Sequence, residues 1–357
     1  MLEQFGWSDA LQHQFTAYAA EGFIPARVIV QQRGLYEIAT EVGEVSATLA
    51  GKLAHDAEDG AYPVTGDWVA VQARPAEGSA TIQHVLPRSS TFVRRASGPG
   101  AARGQVVAAN ADVALLTASM NADLNARRLE RYLATAWESG ADPVIILTKA
   151  DMCRDADTRM IEIEAVAMGV PVLAVSAVTG AGLDALRTYL KPGRTAVLLG
   201  SSGVGKSTLV NALAGRAQMA TQAIREDDAR GRHTTSHREL VLLPSGALIL
   251  DTPGMRELGL WEAGDGMSTA FADIEAIAAQ CHFHDCSHAT EPGCAIVAAL
   301  GTGALDAARW KAYGKLQREL EFHSNKDDPS AQAESRKVRM RRNKMHRAEM
   351  KFRSRLE

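Results

Sequence analysis

The segment from Gly200 to Ser207 reads GSSGVGKS, a match to G-x-x-x-x-G-K-[ST]. It follows the apolar run TAVLLG and opens the helix-like stretch STLVNALAG. That context restricts the fold more than anything else in the chain. Such a loop works where a buried strand hands over to a helix N-terminus. Backbone N–H groups then curl around phosphate oxygens with the positive end of the helix dipole behind them. Gly200, Ser201, Ser202, Gly203, Val204 and Gly205 form the cradle, and Thr208 lies in the first helical turn. Lys206 reaches the outer phosphates and Ser207 offers its hydroxyl to Mg²⁺. A Gly-rich turn with an incidental lysine would not need those flanks.

The surroundings agree. DVALLT (112–117), PVIILT (143–148) and VPVLAVS are continuous apolar runs, alternating with helix-period stretches such as ARRLERYLATAWESG. Strands alternating with helices predict βαβ units and a mostly parallel sheet. Residues 1 to 96 differ: ARVIVQQRG, LYEIAT, VSATLAG and DWVAVQA are short, part-alternating and bounded by turns, as in a small barrel. The Gly/Pro/Ala stretch SGPGAARG (97–104) marks a boundary. After Trp261 the chain reads as helical around a Cys/His cluster, and SNKDDPSAQ precedes a basic tail. The expected domains are 1–100, 101–262, 263–330 and the tail 331–357.

Composition adds exclusions. With 46% hydrophobic and 23% charged residues among 357, a mostly disordered, collagen-like or membrane protein is not expected. No apolar run nears the roughly 18 residues of a membrane span, and the N-terminus carries no apolar signal region. Four cysteines make no disulfide framework, which points to a reducing compartment, the cytoplasm. From Glu334 to Glu357 ten basic residues face three acidic ones, so a strongly basic tail sits on an acidic body. Such asymmetry suits a polyanionic partner; a solvated helix is the competing reading.

Three further motifs surround the phosphate loop. Asp251 in ALILDTPG ends a strand where a second acidic Mg²⁺ contact belongs, and the Gly254 N–H could sense the γ-phosphate. Between them lies TQAIREDDARGRHTTSH, where Thr234 or Thr235, with Thr235 favoured, could complete the Mg²⁺ shell. Upstream, Thr148, Lys149, Ala150 and Asp151 form TKAD after a strand. The Asp151 carboxylate can accept N1–H and the exocyclic amine of guanine, a pattern adenine lacks, while the Lys149 stem covers the purine. Ser176 and Ala177 of SAVTG are placed to meet the base oxygen through a backbone N–H.

Together these segments resemble the motifs of translation-factor-class GTPases in a rotated order, with guanine recognition first and the phosphate loop afterwards. Preceded by a barrel and followed by a Cys/His cluster, the chain resembles the RsgA family of ribosome small-subunit-dependent GTPases. The resemblance spans nearly the whole chain. It implies a circularly permuted α/β P-loop GTPase domain, an N-terminal oligonucleotide-binding (OB) β-barrel and a C-terminal α-helical zinc-binding domain. It also implies hydrolysis of GTP to GDP and phosphate with Mg²⁺, late in maturation of the 30S subunit. Barrel, zinc module and tail would hold 16S rRNA, with the protein a monomer off the membrane.

Two departures stand out. The guanine motif of GTPases usually begins with Asn, which braces the phosphate loop, and Thr148 replaces it. Met255 stands where many GTPases place a water-orienting Gln; His233, next to the switch threonines, is the candidate for that work, with a solvent-facing loop histidine as the competing reading. Slow turnover alone and acceleration by a partner are expected.

Cys281, Cys286, His288 and Cys294 have the spacing C-x₄-C-x-H-x₅-C. Four thiolate and imidazole ligands leave no open position, so a structural zinc is expected, with His282 and His284 as competing donors. Cys153 lies apart. Arg88, Phe92, Arg94 and Arg95 are candidates for an RNA groove, with barrel closure and solvated arginines as the alternative. Competing functions are a P-loop ATPase or small-molecule kinase, which Asp151 opposes, a non-catalytic RNA-binding protein, and a GTPase acting on tRNA or the large subunit.

Overall fold

A computed structural model describes residues 1–32, 34–56, 62–74, 77–95, 104–121, 124–215, 238–251, 265–289 and 291–327. The described residues form two compact units, one up to Ala272 and one from Asp273 onward.

The first unit begins with helix α1 (Asp9–Ala20), started by the Ser8 side chain, which accepts the Leu11 N–H. Strands β1 (Ile24–Gln32), β2 (Leu35–Thr40), β3 (Gly43–Leu49), β4 (Trp68–Arg74) and β5 (Ser79–Val85) follow, with α2 (Gly51–Asp56) between β3 and β4. The pairings β1–β2, β2–β3, β3–β5, β5–β4 and β4–β1 close a five-stranded barrel. Alternate residues Ala26, Val28, Tyr36, Ile38, Val69, Val71, Ala80 and Ile82 fill its interior, as closure of a two-residue period demands. Helix α1, inside a region whose sequence reads as β-rich, sets Phe15 against Trp7, and Trp7 against Trp68.

A hairpin of β6 (Thr91–Arg95) and β7 (Gly104–Ala109) stands as a separate two-stranded sheet. The parallel core comprises β8 (Val113–Ser119), α3 (Ala126–Ser139), β9 (Asp142–Thr148), α4 (Ala156–Ala167), β10 (Val172–Val175), α5 (Leu183–Arg187), β11 (Thr195–Leu199), α6 (Lys206–Ala214), β12 (Arg238–Leu242) and β13 (Leu248–Asp251). Its strand order is β10-β9-β8-β11-β13-β12, parallel except for β12. From β8 the chain winds outward to β9 and β10, and from β11 it winds the opposite way. The winding therefore reverses between β8 and β11, where a crevice opens beyond the strand C-termini.

β12 pairs with β1, Val30 opposite Glu239 and Gln31 opposite Arg238, so core and barrel share one sheet. Arg27 pins the junction. Buried at 2% exposure, it donates to the carbonyls of Phe5, Gly66 and Asn110 and to Thr195 Oγ1, and it lies over the Trp68 ring. Burial lowers its pKa to about 10, against the pull of Asp112 and Asp67. Helix α7 (Asp265–Ala270) packs on α3, where the Gly266 N–H donates to Glu138.

The second unit holds most of α8 (Ala272–Ala278), then α9 (Ala295–Thr302) and α10 (Ala307–Asp327). Arg309 makes a two-pronged ion pair with Asp273, both contacts at 2.7 Å, and the Tyr313 hydroxyl donates to Glu275 at 2.5 Å. No described helix is long and apolar enough to cross a membrane.

Two of the candidate RNA-groove residues are structural instead. Phe92 is fully buried, and Arg88 forks onto the buried Asp67 at 2.7–2.8 Å. Arg94 and Arg95 lie on the β6–β7 hairpin, outside the barrel strands.

Candidate nucleotide site and metal centre

The crevice between β8 and β11 holds the Gly200–Ser207 loop. β11 is wholly buried over Thr195–Leu199 and delivers the chain at the sheet edge. Gly200 must be Gly, because a Cβ there would stand 2.4 Å from the Thr117 carbonyl oxygen of β8. Gly205 caps α6 at φ +100°, a conformation L side chains rarely adopt. α6 is held down by Leu209, Val210, Leu213 and Ala214, one buried stripe. That leaves its N-terminus facing the loop, with Ser202, Gly203 and Thr208 exposed and Ser201, Lys206 and Ser207 half-buried.

Three cations converge on this loop. Lys206 Nζ curls back onto the carbonyls of Gly200 and Ser201, both at 2.7 Å. Lys149 Nζ donates to the Gly203 carbonyl at 2.9 Å. Arg128, three residues into α3 from its Asn125 cap, donates from Nη1 to Ser201 Oγ at 3.0 Å. The Arg128 contact escapes sequence reasoning, since nothing in RRLER distinguishes one arginine from its neighbours.

The guanine-side residues assemble at the neighbouring strand ends. Val175 stands opposite Thr148, so the TKAD and SAVTG loops leave the sheet side by side. Lys149 has φ +59° and starts a tight turn, with the Met152 N–H bonded to the Lys149 carbonyl at 3.0 Å. This turn leaves Asp151 exposed and Ala150 half-buried at the edge. Ser176 is buried; its Oγ accepts the Thr179 N–H, and its own N–H is spent on the Ala181 carbonyl at 2.9 Å. Of that pair, Ala177 is the one whose N–H makes no hydrogen bond among the described residues.

Thr148 does more than its replacement of Asn suggests. Its hydroxyl, buried at 4% exposure, donates to the Val204 carbonyl at 2.5 Å and lies 3.1 Å from that of Ala118. Threonine thus braces the phosphate loop from β9 with a single hydroxyl.

Asp251 ends β13, its backbone in register with Glu239 of β12 and one strand away from the start of the loop. His233, Thr234, Thr235, Gly254 and Met255 lie outside the described residues, as does the tail from 331.

In the second unit, Cys281, Cys286, His288 and Cys294 place their ligand atoms within 4.8 Å of one another. Cys281 Sγ to Cys294 Sγ is 4.0 Å, and His288 Nδ1 lies 3.5 and 3.6 Å from those sulfurs. A tetrahedral ion with sulfur ligands at about 2.3 Å and nitrogen at about 2.0 Å requires edges of roughly 3.8 and 3.6 Å. The cluster is therefore already shaped to hold a metal ion. His288 takes φ +59° to aim its ring, which lies edge-on to Trp310. His282 and His284 are exposed and outside the ligand set.

A small ribosomal subunit biogenesis GTPase RsgA from Streptomyces coelicolor is 46% identical over 352 residues, covering 98% of this chain and 94% of the relative. The chain belongs to the RsgA GTPase family. The family model, RsgA GTPase, matches residues 85–261. An RsgA 2 from Lactiplantibacillus plantarum is also 46% identical, over 90% of each chain. Among solved structures, YjeQ from Thermotoga maritima superposes with a TM-score of 0.63 at 25% identity, over 84% of this chain and 98% of the other. YloQ, a circularly permuted GTPase, shares the fold with a TM-score of 0.59 at 24% identity, over 84% of this chain and 95% of the other. As an RsgA GTPase the chain is a hydrolase, and its rotated motif order is the permuted form of the domain, the fold it shares with YloQ.

Proposed function

We propose that this chain hydrolyses GTP while bound to the 30S ribosomal subunit, in the cytoplasm and as a monomer, in late small-subunit assembly. The observation that carries the nucleotide reading is the Thr148–Val204 brace beside Lys149 and Asp151, which locks the guanine loop to the phosphate loop. The ribosomal reading rests on the relatives' names.

In this reading Asp151 accepts from the guanine edge, the Ala177 N–H meets the base oxygen, and Lys149 covers the purine. Backbone N–H groups from Ser201 to Lys206 hold the β-phosphate. Lys206 exchanges its two carbonyl contacts for β- and γ-phosphate oxygens. Ser207 and Thr235 hold Mg²⁺, with Asp251 behind them; the ion would neutralise charge developing on the phosphates. The Gly254 N–H reads the γ-phosphate, and His233 orients the attacking water in place of the Gln that Met255 lacks. Zinc fits Cys281, Cys286, His288 and Cys294 as a closed structural site. The basic tail and barrel hold 16S rRNA through phosphate contacts, which set affinity and salt dependence.

Phosphate release from GTP and from ATP, each alone, with 30S and with 50S subunits, tests this. Slow GTP-only release that rises with 30S is the expected result. Release from ATP, or stimulation by 50S alone, would overturn it.

A further inference from the structure

One residue ties the metal-binding loop together without being one of its ligands. Glu291 stands half-buried between His288 and Cys294, in the run Glu291-Pro292-Gly293-Cys294. The Cys294 N–H donates to the Glu291 carbonyl at 3.2 Å, and Gly293 takes φ +77°. Proline at the second place and a positive-φ glycine at the third are the pattern of a type II turn. That turn delivers Cys294 to the start of α9, where its Sγ accepts the Val297 N–H at 3.5 Å.

The Glu291 side chain reaches back across the other half of the loop. Its Oε1 accepts the Ser287 N–H at 3.0 Å and the Ser287 hydroxyl, and its Oε2 accepts the Ala289 N–H at 3.0 Å. The carboxylate therefore bridges the two residues that flank His288. His288 itself sits at φ +59°, a conformation that non-glycine residues hold only where their surroundings fix it. Bonds on either side pin its backbone, and with it the ring whose Nδ1 lies 3.5 and 3.6 Å from the Cys281 and Cys294 sulfurs. Both carboxylate oxygens are in use. An amide in the same place would turn its own N–H toward a donor.

We propose that Glu291 is the positioning residue of the zinc site. Its carboxylate holds His288 in the ligating conformation through the Ser287 and Ala289 N–H groups, while its carbonyl seats Cys294. This rests on the zinc reading above. A loop held in shape by outer hydrogen bonds gives the ion its ligands with less ordering left to do at the moment of binding.

The test measures zinc affinity of the full chain by competition with a chromophoric chelator, in the parent and in Glu291→Ala, Glu291→Gln and Asp285→Ala. Asp285 is an exposed carboxylate beside Cys286, so its removal takes the same charge from the same loop. Partners behind metal ligands are worth about 10–100-fold in affinity, and near the surface the lower end applies, so Glu291→Ala should bind zinc about 10-fold more weakly. Glu291→Gln, which keeps one acceptor, should fall between it and the parent, and Asp285→Ala should stay within about twofold of the parent. A mutant cycle reads the link to His288: in a His288→Ala chain, adding Glu291→Ala should cost under about threefold, because the residue it positions is gone. The full loss repeated in that background, parental affinity in Glu291→Ala, or an equal loss in Asp285→Ala would overturn the role. GDP affinity, read on the same samples, should match the parent's; if Glu291→Ala loses it too, the whole chain is disturbed and Glu291→Gln alone decides. A parent chain that takes up no zinc would overturn the zinc reading itself, whereas a zinc-binding parent with unaffected variants overturns only the role of Glu291.

Discussion

Replacing Thr148 with Val keeps the shape of the side chain and removes one hydroxyl. The Val204 carbonyl then loses its donor inside the protein, because Val204 and position 148 are both nearly sealed from water. A typical buried hydrogen bond contributes about 1 kcal/mol net, and an acceptor left without a partner costs about 1–3 kcal/mol. About 1–2 kcal/mol is therefore expected, or roughly 5- to 30-fold in affinity. The brace joins the guanine loop to the phosphate loop and does not involve the γ-phosphate, so GTP and GDP should weaken equally. In kinetics KM should rise while kcat stays within about twofold, the signature of lost uniform binding. Titration with fluorescent GDP and a GTP analogue reads the affinities, and Thr148→Ser, which keeps the hydroxyl, should bind within about threefold of the parent. A fall in kcat with unchanged GDP affinity would refute the reasoning, since the brace would then act only on the reacting state.

Other expectations follow from neighbouring features. Asp151→Asn should cost GTP about 10- to 150-fold in affinity, as loss of a charge-assisted pair does, and shift preference towards xanthosine nucleotides; unchanged preference would remove Asp151 from base recognition. Arg27→Met takes the donor from the Phe5 and Asn110 carbonyls and from Thr195 Oγ1, while the Gly66 carbonyl keeps its bond from Asn110 Nδ2, and about 3–5 kcal/mol of stability should go; a thermal melt within about 2 °C of the parent would refute it. Metal analysis should find one zinc per chain, and Cys286→Ser or a strong chelator should remove it and lower helical signal; full helicity without metal would count against the structural assignment. Burial raises the Asp273 pKa, but hydrogen bonds and charge from Arg309 outweigh it and hold the carboxyl below the ordinary range. Its contribution is thus present above the unfolded pKa and fades as pH falls through the folded one. Acid melts should lose that step in Arg309→Gln, and an unchanged acid limb would show the pair contributes nothing.

Much of the fold is legible in residue order. The phosphate loop needs glycines, a buried strand and a helix start within a dozen residues, and all three are local properties. The Cys/His cluster is likewise local, so spacing alone indicates a closed site. What escapes the sequence depends on pairings distant along the chain. Thr148 reads as a lost Asn until Val204, 56 residues on, is found above it. Arg88 and Phe92 read as a surface until Asp67 and the closed barrel account for them. Arg27 sits in an alternating strand pattern that gives no hint of four partners as far away as Thr195. Ser176 looks equivalent to Ala177, and only the Ala181 bond separates their roles.

The shared sheet has a consequence for anyone cutting this protein apart. β12 is covered on one side by β13 and on the other by β1 of the barrel. A nucleotide domain trimmed at the linker would present β12 as a bare edge, with unpaired N–H and C=O groups ready to zip onto another chain. It would also lose the Arg27 guanidinium that occupies Thr195 and the Asn110 carbonyl. The barrel is thus also the guard on the GTPase's open flank, and the isolated domain should be prone to self-association.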